Sequence, residues 1–231
     1  MRASVGYQFR ATNVLDVEVL GPEVAQALSD VSVSSILASL VHDTRDQLFA
    51  PRTGSVTRPT LELATSGLGS EIDFVRANLR HSRFLGLREG TVLGLSFRGG
   101  MIVPIGGTDT IPLQERYFNG GENTVRSFRE DELGALDAGG EPIGGEAYTV
   151  LSAELRQRLR GNLQGALFFD TGNLQANYAD FLTFDDMRNA VGAGLRYMLP
   201  IGPLRLDVGF PLDQRPGDPD YKVYFGFGQI F

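Results

Sequence analysis

The chain of 231 residues contains no cysteine. Disulfides and thiolate metal sites are therefore excluded, and the absence is weakly typical of proteins that cross an oxidising compartment. Lysine is nearly absent as well, since Lys222 is the single lysine among 21 basic residues. This bias fits either genomic base composition or a need for rigid guanidinium forks in a polar lumen.

The sequence also has no long apolar run. No stretch approaches the roughly 18 uninterrupted apolar residues that a membrane helix needs, although hydrophobic residues make up 42% of the chain. The opening residues, Met1 to Tyr7, lack the apolar core and the cleavage pattern of a secretory signal. The chain is therefore expected either to be cytosolic or to have lost its natural N-terminus.

Groups suited to catalysis and to polyanion binding are scarce. The two histidines, His42 and His81, fall on or beside different predicted strands, which disfavours a serine or metal site. Asp43 and Asp46 do not have the spacing of a calcium loop. A formal net charge of −7 argues against a nucleic-acid partner. We therefore predict no enzymatic activity, no metal, no cofactor and no nucleic acid.

Most of the chain alternates strictly between apolar and polar residues, which is the period of a β-strand. In one such segment Ala153 and Leu155 alternate with Glu154 and Arg156. About ten segments of this kind follow one another. They could form a soluble sandwich with its apolar faces packed between two sheets, or a transmembrane barrel with apolar faces toward lipid and charges in the lumen.

The lengths of the predicted connections favour the barrel. Counted from the first strand, the odd-numbered connections are mostly long and most even-numbered ones are short. Outer-membrane barrels show this asymmetry, with short periplasmic turns and longer external loops. The even-numbered turn from Asp43 to Gly54 is the exception. We therefore predict an all-β fold, an antiparallel up-and-down transmembrane β-barrel of about ten strands.

The longest connection, residues 106–146, shows no sustained strand or helix periodicity. Loops of this length are uncommon unless they are functional or disordered, and the residue pattern of this one is too specific for a flexible linker. An arginine at its centre can press apolar neighbours onto a wall while its planar guanidinium binds a carboxylate in two-pronged fashion. We therefore predict that this loop folds back into the lumen. The residues of the predicted loop motif are Gly120, Gly121, Val125, Arg126 and Phe128.

Two carboxylates occupy positions that could receive this arginine. Glu154 lies on the polar face of the sixth predicted strand, and Asp170 ends the apolar run of the seventh. Adjacent strands are about 4.8 Å apart, so two carboxylates on one face could hold one guanidinium. The alternative is that all three charges only line a wet lumen.

The last predicted strand has one aromatic face and two glycines on the other. Gly226 and Gly228 fall on the inner face, where glycine weakens a strand and lets it bend. Two interpretations stay open: the strand forms a weak seam, or the glycines relieve crowding and the terminal phenylalanine is a sorting signal. The outward positions are Tyr221, Val223, Phe225, Phe227 and Phe231.

Val125-Arg126-Ser127-Phe128 resembles the VRGF/Y signature of the sixth external loop in the outer-membrane assembly-factor superfamily, the BamA and TamA group with their two-partner-secretion relatives. Ser127 departs from the family's glycine, and a serine tolerates positive φ less easily. The resemblance covers nearly the whole chain, with further segments in the family's order. These segments are Asp43 to Asp46, Pro51 to Gly54, Leu151 to Leu155, Phe168 to Gly172, Gly194 to Tyr197, Pro200 to Asp207 and Tyr224 to Phe231.

The resemblance implies a sixteen-strand barrel in a bacterial outer membrane, with residues 1–231 as its C-terminal part. In that family the loop enters the lumen and its arginine binds acids, which are Glu154 and Asp170 here. The family also carries periplasmic POTRA domains, which this chain does not include. Expected partners are therefore outer-membrane lipids and the missing strands, POTRA domains or a second copy of the chain.

Two classes of function follow from the resemblance. The first is an assembly factor that inserts and folds outer-membrane proteins, whose unfolded clients template a strand on the barrel seam. The physical basis is β-augmentation, in which an unpaired strand edge binds a compatible strand. The second is an outer-membrane pore that exports a polypeptide or conducts solutes, with the long loop as its gate.

Overall fold

A computed structural model describes residues 1–13, 29–184 and 186–228. In these residues ten strands form one antiparallel sheet whose spatial order equals the chain order. The predicted all-β, up-and-down fold is confirmed. The strands are β1 Arg2–Thr12, β2 Val31–Asp43, β3 Gly54–Ala64, β4 Phe74–Arg88, β5 Thr91–Pro104, β6 Ala147–Arg160, β7 Leu163–Gln175, β8 Arg188–Leu199, β9 Gly202–Pro211 and β10 Lys222–Phe227.

The sheet has an apolar outer face and a polar inner face. On β6, Ser152 and Glu154 are buried while Leu151 and Leu155 are exposed. This is the reverse of a soluble sandwich, in which the apolar face would be buried. Within the described residues β1 pairs only with β2 and β10 only with β9. Exposed leucines of the outer face include Leu61, Leu79, Leu95, Leu151, Leu167, Leu195 and Leu206.

The connections show the predicted asymmetry. Three even-numbered connections are tight turns, at Glu89–Gly90, Gly161–Asn162 and Pro200–Ile201. Gly90 and Gly161 have φ of 75° and 56°, which glycine adopts without a Cβ clash. The connection between β2 and β3 is the predicted long exception. The odd-numbered connections are longer, and the one between β5 and β6 is the longest.

The longest connection, residues 105–146, covers the inner face, and we call it the lumen loop. Together with the sheet it forms two buried apolar clusters. In one, Ile111 of the loop packs with Val33, Phe74 and Ile102. The second cluster combines the loop residues Val125, Phe128 and Leu133 with Tyr148, Val150 and Ala190 of the sheet. The core therefore lies between the loop and the sheet.

Helical structure is limited to short 3₁₀ turns in the described residues. None of the helices there is long and apolar enough to cross a membrane.

The last strand is shorter than the sequence predicts. Tyr221 precedes β10, and Gly228 follows it in a bend with φ of 93°. The backbone N–H of Gly228 donates to the Pro203 carbonyl at 2.8 Å. The placement of Gly228 on the inner face of a regular strand was therefore wrong, because the chain already turns there. Phe231 lies outside the described residues.

The outer face yields a first prediction. Leu167 is 62% exposed on the outer face of β7, and Leu182 is 76% exposed in the connection after β7. A charge on the lipid face of a barrel is costly, so Leu167→Arg should lower the free energy of unfolding in lipid vesicles by about 2 kcal/mol. Urea titration followed by circular dichroism measures this loss. Leu182→Arg is the control, and equal losses in both variants would contradict a lipid-facing outer surface.

Candidate functional site

The lumen loop reaches the sheet through two glycines in the left-handed region. Gly120 and Gly121 have φ of 109° and 98°. A Cβ at Gly120 would lie 2.6 Å from the Arg129 carbonyl oxygen, so this close backbone approach requires glycine. The Gly120 N–H also donates to the Thr124 hydroxyl at 3.0 Å. The turn delivers Val125 to the buried apolar cluster, with Arg126 next to it.

Arg126 is fully buried and makes charge-assisted hydrogen bonds to both predicted carboxylates. Its Nε and Nη2 donate to the two oxygens of Asp170 at 2.7 and 2.9 Å, and its Nη1 donates to Glu154 at 2.7 Å. The backbone N–H of Arg126 donates to Asp170 as well, at 3.2 Å. The geometry is the two-pronged one that a guanidinium fork suits and a lysine cannot reproduce.

An aromatic ring of β7 completes the arginine's surroundings. The Cζ atom of Arg126 lies 3.5 Å from the centre of the Phe168 ring. A guanidinium over an aromatic face gains about 2 kcal/mol or more when it is removed from water. Phe168 and Asp170 are two residues apart, so both side chains point to the inner face. This role of Phe168 is not visible in the sequence pattern.

The ion cluster extends to β8 and β9. Arg196 donates to Glu154 at 3.0 Å and to Asp207 at 2.6 Å, and both Arg196 and Asp207 are 1% exposed. Arg126 Nη1 lies 3.8 Å from Asp207. Arg196 and Asp207 fall within segments of the family resemblance, but nothing in the sequence pattern linked them to the loop. The signal that could have linked them is their position among glycines and apolar residues on β8 and β9, the two strands that follow the Asp170 strand in the sheet.

The cluster keeps the loop arginine charged. Burial acts to lower the pKa of Arg126, but the adjacent Asp170 and Glu154 carboxylates outweigh burial, and the pKa lies above that of a free arginine. Removing one member of a buried ion pair costs about 3–5 kcal/mol, because an uncompensated charge stays buried. The loop is therefore held by groups that depend on one another.

A glycine of β9 makes room for the loop, and a glycine of β8 makes room for the Phe168 ring that packs on Arg126; neither requirement is visible in the sequence pattern. An ideal Cβ at Gly209 would lie 1.5 Å from the Arg126 carbonyl oxygen, which is backbone and cannot move aside alone. An ideal Cβ at Gly192 would lie 2.2 Å from the Phe168 ring. The loop therefore approaches the sheet more closely than any residue with a side chain allows.

The start of the lumen loop is bound by a second ion cluster. Glu115 accepts from Arg10 of β1 at 2.9 Å and from Arg76 of β4 at 2.6 Å. Glu62 of β3 bridges the same two arginines at 2.9 and 3.2 Å. Glu62 and Glu115 are almost fully buried. The loop is thus attached to the first strands of the sheet as well as to β6 and β7.

The same loop contacts the last strand. The Tyr224 hydroxyl of β10 donates to the Phe128 carbonyl. The Arg188 guanidinium lies 4.5 Å from the centre of the Phe128 ring. The lumen loop therefore connects β1, through Glu115, with β10, through Phe128.

Ser127 fits the loop without strain. Among the described residues Asp131 is the one non-glycine with positive φ, so Ser127 does not need the left-handed conformation that glycine favours. The Ser127 N–H donates to the Val125 carbonyl at 2.9 Å. Its hydroxyl is buried and has no hydrogen-bond partner within the described part of the chain.

The predicted seam residues divide between the two faces of β10. Val223, Phe225 and Phe227 are more than half exposed on the outer face. Gly226 lies on the inner face, where a Cβ would be 2.8 Å from the Arg205 guanidinium. Tyr221, just before the strand, is also exposed and packs against Phe210 with ring centres 6.2 Å apart.

A ten-stranded antiparallel sheet with a lipid-suited outer face and a loop bound to its charged inner face is the arrangement expected for part of an outer-membrane β-barrel. The model of the Omp85 superfamily domain matches residues 2–231. The chain belongs to this superfamily, and the predicted resemblance and outer-membrane localisation are confirmed.

Individual relatives agree with this membership. The chain is 27% identical to the outer membrane protein assembly factor BamA of Nitratidesulfovibrio vulgaris, over 98% of the chain and 29% of the relative. It is 31% identical to the human sorting and assembly machinery component 50 homolog, over 86% of the chain and 45% of the relative. The chain therefore spans less than half the length of either relative.

A solved structure supports the fold. BamA from Haemophilus ducreyi, in a form lacking POTRA domains 1–3, superposes with a TM-score of 0.76 at 17% identity. The match covers 96% of this chain and 49% of the BamA chain. The ten strands therefore correspond in arrangement to part of a BamA barrel.

The close approach of loop and sheet yields a second prediction. Gly209→Ala should displace the Arg126 backbone and lower the free energy of unfolding by about 1–3 kcal/mol, as expected for overpacking. Gly6→Ala is the control, because nothing lies within 4 Å of a Cβ at Gly6. Urea unfolding of both variants in the same detergent measures the difference. A Gly209→Ala variant as stable as Gly6→Ala would contradict the tight packing described here.

Proposed function

We propose that the chain is the C-terminal part of the barrel of an outer-membrane protein assembly factor, which inserts and folds client barrels by strand templating. The observation that carries this proposal is the β10 edge, which is unpaired in the described residues while the lumen loop is bound immediately behind it. Membership in the Omp85 superfamily and the names of its BamA relatives support it. The proposed clients are unfolded outer-membrane proteins.

The edge of β10 suits the binding of another strand. Only six residues of β10 pair with β9, whereas β9 and β8 pair over most of their length. A free strand edge presents backbone N–H and carbonyl groups to any compatible strand. Gly226 weakens the edge further, because it adds no side-chain contact. An incoming client strand would gain main-chain hydrogen bonds and lipid-facing contacts with Phe225 and Phe227.

The lumen loop would hold this edge in place during exchange. Its anchors are Arg126 on the β6 to β7 side and the Tyr224 hydroxyl on β10 itself. Because the loop contacts β10 from the inner face, β10 can bind and release a strand at its free edge without folding into the lumen. In this proposal the loop serves as a brace, and the predicted absence of enzymatic activity stays a prediction.

The alternative is the pore that exports a polypeptide or conducts solutes. In that case the lumen loop would act as a gate rather than as a brace. Deleting residues 106–146 should then raise ion conductance in planar bilayers while the protein stays inserted. In the assembly proposal the same deletion should abolish the folding of client proteins, because the β10 edge loses its support.

The strand-templating proposal predicts a specific cross-link. The chain has no cysteine, so a single introduced one is a unique reporter. Val223→Cys on β10 should form a disulfide with a cysteine in the terminal strand of a client during assembly in proteoliposomes. Leu206→Cys is the matched control, because it lies on the same outer face of β9, which is paired on both sides. Non-reducing gels measure the adduct.

An adduct at both positions in equal yield would indicate contact through lipid rather than templating. Client folding without any Val223→Cys adduct would contradict templating on this edge.

A further inference from the structure

Three arginines stand in cross-strand register on the inner face, apart from the Arg126 cluster. Arg58 of β3 lies opposite Arg80 of β4, which lies opposite Arg98 of β5. We call these residues the arginine row. Side chains directly opposite in an antiparallel sheet have Cβ atoms about 5 Å apart, and like charges at such positions destabilise the sheet. The row therefore costs stability unless something offsets its charge.

The first two members of the row form no ion pair with a carboxylate of the described residues. In the described parts of the chain neither Arg58 nor Arg80 has a carboxylate oxygen within 4.0 Å. The Arg98 guanidinium donates to the backbone carbonyl of Asn123 at 2.5 Å, which is a neutral partner. Two inner-face acids of the neighbouring strands are engaged elsewhere, since Asp43 binds Arg45 and Glu62 binds Arg10 and Arg76.

The arginine row borders a cavity of about 410 Å³ between the sheet and the lumen loop. Arg58 and Arg80 are exposed to this space. No acidic side chain contributes to the lining found among the described residues. The remaining lining groups supply hydroxyl and amide donors or aromatic edges. They are Thr60, Asn78, Tyr117, Phe118, Thr124 and Tyr148.

We propose that the arginine row binds a multiply charged phosphate group, such as a diphosphate, in this cavity. Guanidinium forks match phosphate oxygens in pairs, and Arg58 and Arg80 together present two positive charges that a doubly charged phosphate group offsets and a singly charged carboxylate does not. The phosphate belongs either to a free solute that enters the lumen or to a lipid headgroup. This site does not depend on the assembly function proposed above.

Binding of pyrophosphate to the detergent-solubilised protein tests the proposal. Isothermal titration at constant ionic strength should show one site in the unmodified protein. Arg80→Gln should raise the Kd for pyrophosphate about tenfold or more, because it removes the central charge-assisted partner. Arg160→Gln, an exposed arginine at the end of β6, is the matched control and should leave the Kd unchanged. Arg58→Gln should weaken binding in the same direction as Arg80→Gln.

A second readout separates binding from a structural role. Without pyrophosphate, Arg80→Gln should unfold at the same or a higher temperature than the unmodified protein, because a like-charge contact is removed. Unfolding at a lower temperature would assign Arg80 a structural contact and overturn the proposal. Absence of pyrophosphate binding, or equal weakening by Arg80→Gln and Arg160→Gln, would overturn it as well.

The source of the phosphate is resolved by competition. The same titration in nanodiscs that contain a lipid with a diphosphate headgroup should show weaker apparent pyrophosphate binding if the lipid occupies the site. Unchanged pyrophosphate binding in these nanodiscs would assign the site to a soluble phosphate compound. Both results support the arginine row as a phosphate site.

Discussion

The contact between the Arg126 guanidinium and the carboxylates of Asp170 and Glu154 is the interaction on which the rest of the structure depends. It lies between sheet and loop with no exposure to solvent. Such a contact is weak evidence for net stability, because desolvation of the charges offsets much of their attraction. The main effect of the contact is to restrict the loop to a single position on the sheet. Once the loop is in place, any shift of Arg126 would remove the only arginine that binds both buried carboxylates within the described residues, so the loop has one position rather than several.

This constraint explains how a polar sheet face acquires a core. The inner face carries too many charges to pack against a second sheet, and the lumen loop binds part of those charges through Arg126 and Glu115 while adding its own apolar residues. Val125 and Phe128 flank the arginine and fill the space next to Tyr148 and Val150. The Glu115 cluster fixes the other end of the loop to β1 and β4. The loop thus links strands that are far apart in the sheet. Through Phe128 it also contacts β10, the edge strand at which the proposed function takes place.

Much of this arrangement was predictable from local pattern. Alternation identifies the strands because the side-chain period of a strand is two, and an arginine between apolar residues in a long loop predicted a buried partner. Asp207 and Arg196 could not be assigned to the same cluster, because the register that aligns β8 and β9 with the loop depends on long-range pairing. The requirement for glycine at Gly209 has the same origin, since only the docked loop brings a backbone carbonyl to that position. The early bend at Gly228 was missed because the alternation continues through it in sequence and its N–H still bonds to β9, so only its positive φ of 93° marks the end of the regular strand.

The most direct test of this account is a double-mutant cycle on Arg126 and Asp170, measured by urea unfolding in detergent. Arg126→Ala and Asp170→Asn should each be destabilising, and Arg129→Ala, at an exposed loop arginine, should change little. If the loop is held by one coupled ion cluster, the double variant should be more stable than the sum of the single losses predicts, by about 1–3 kcal/mol. Losses that add fully would show that the two groups act independently and would contradict the central role of this contact.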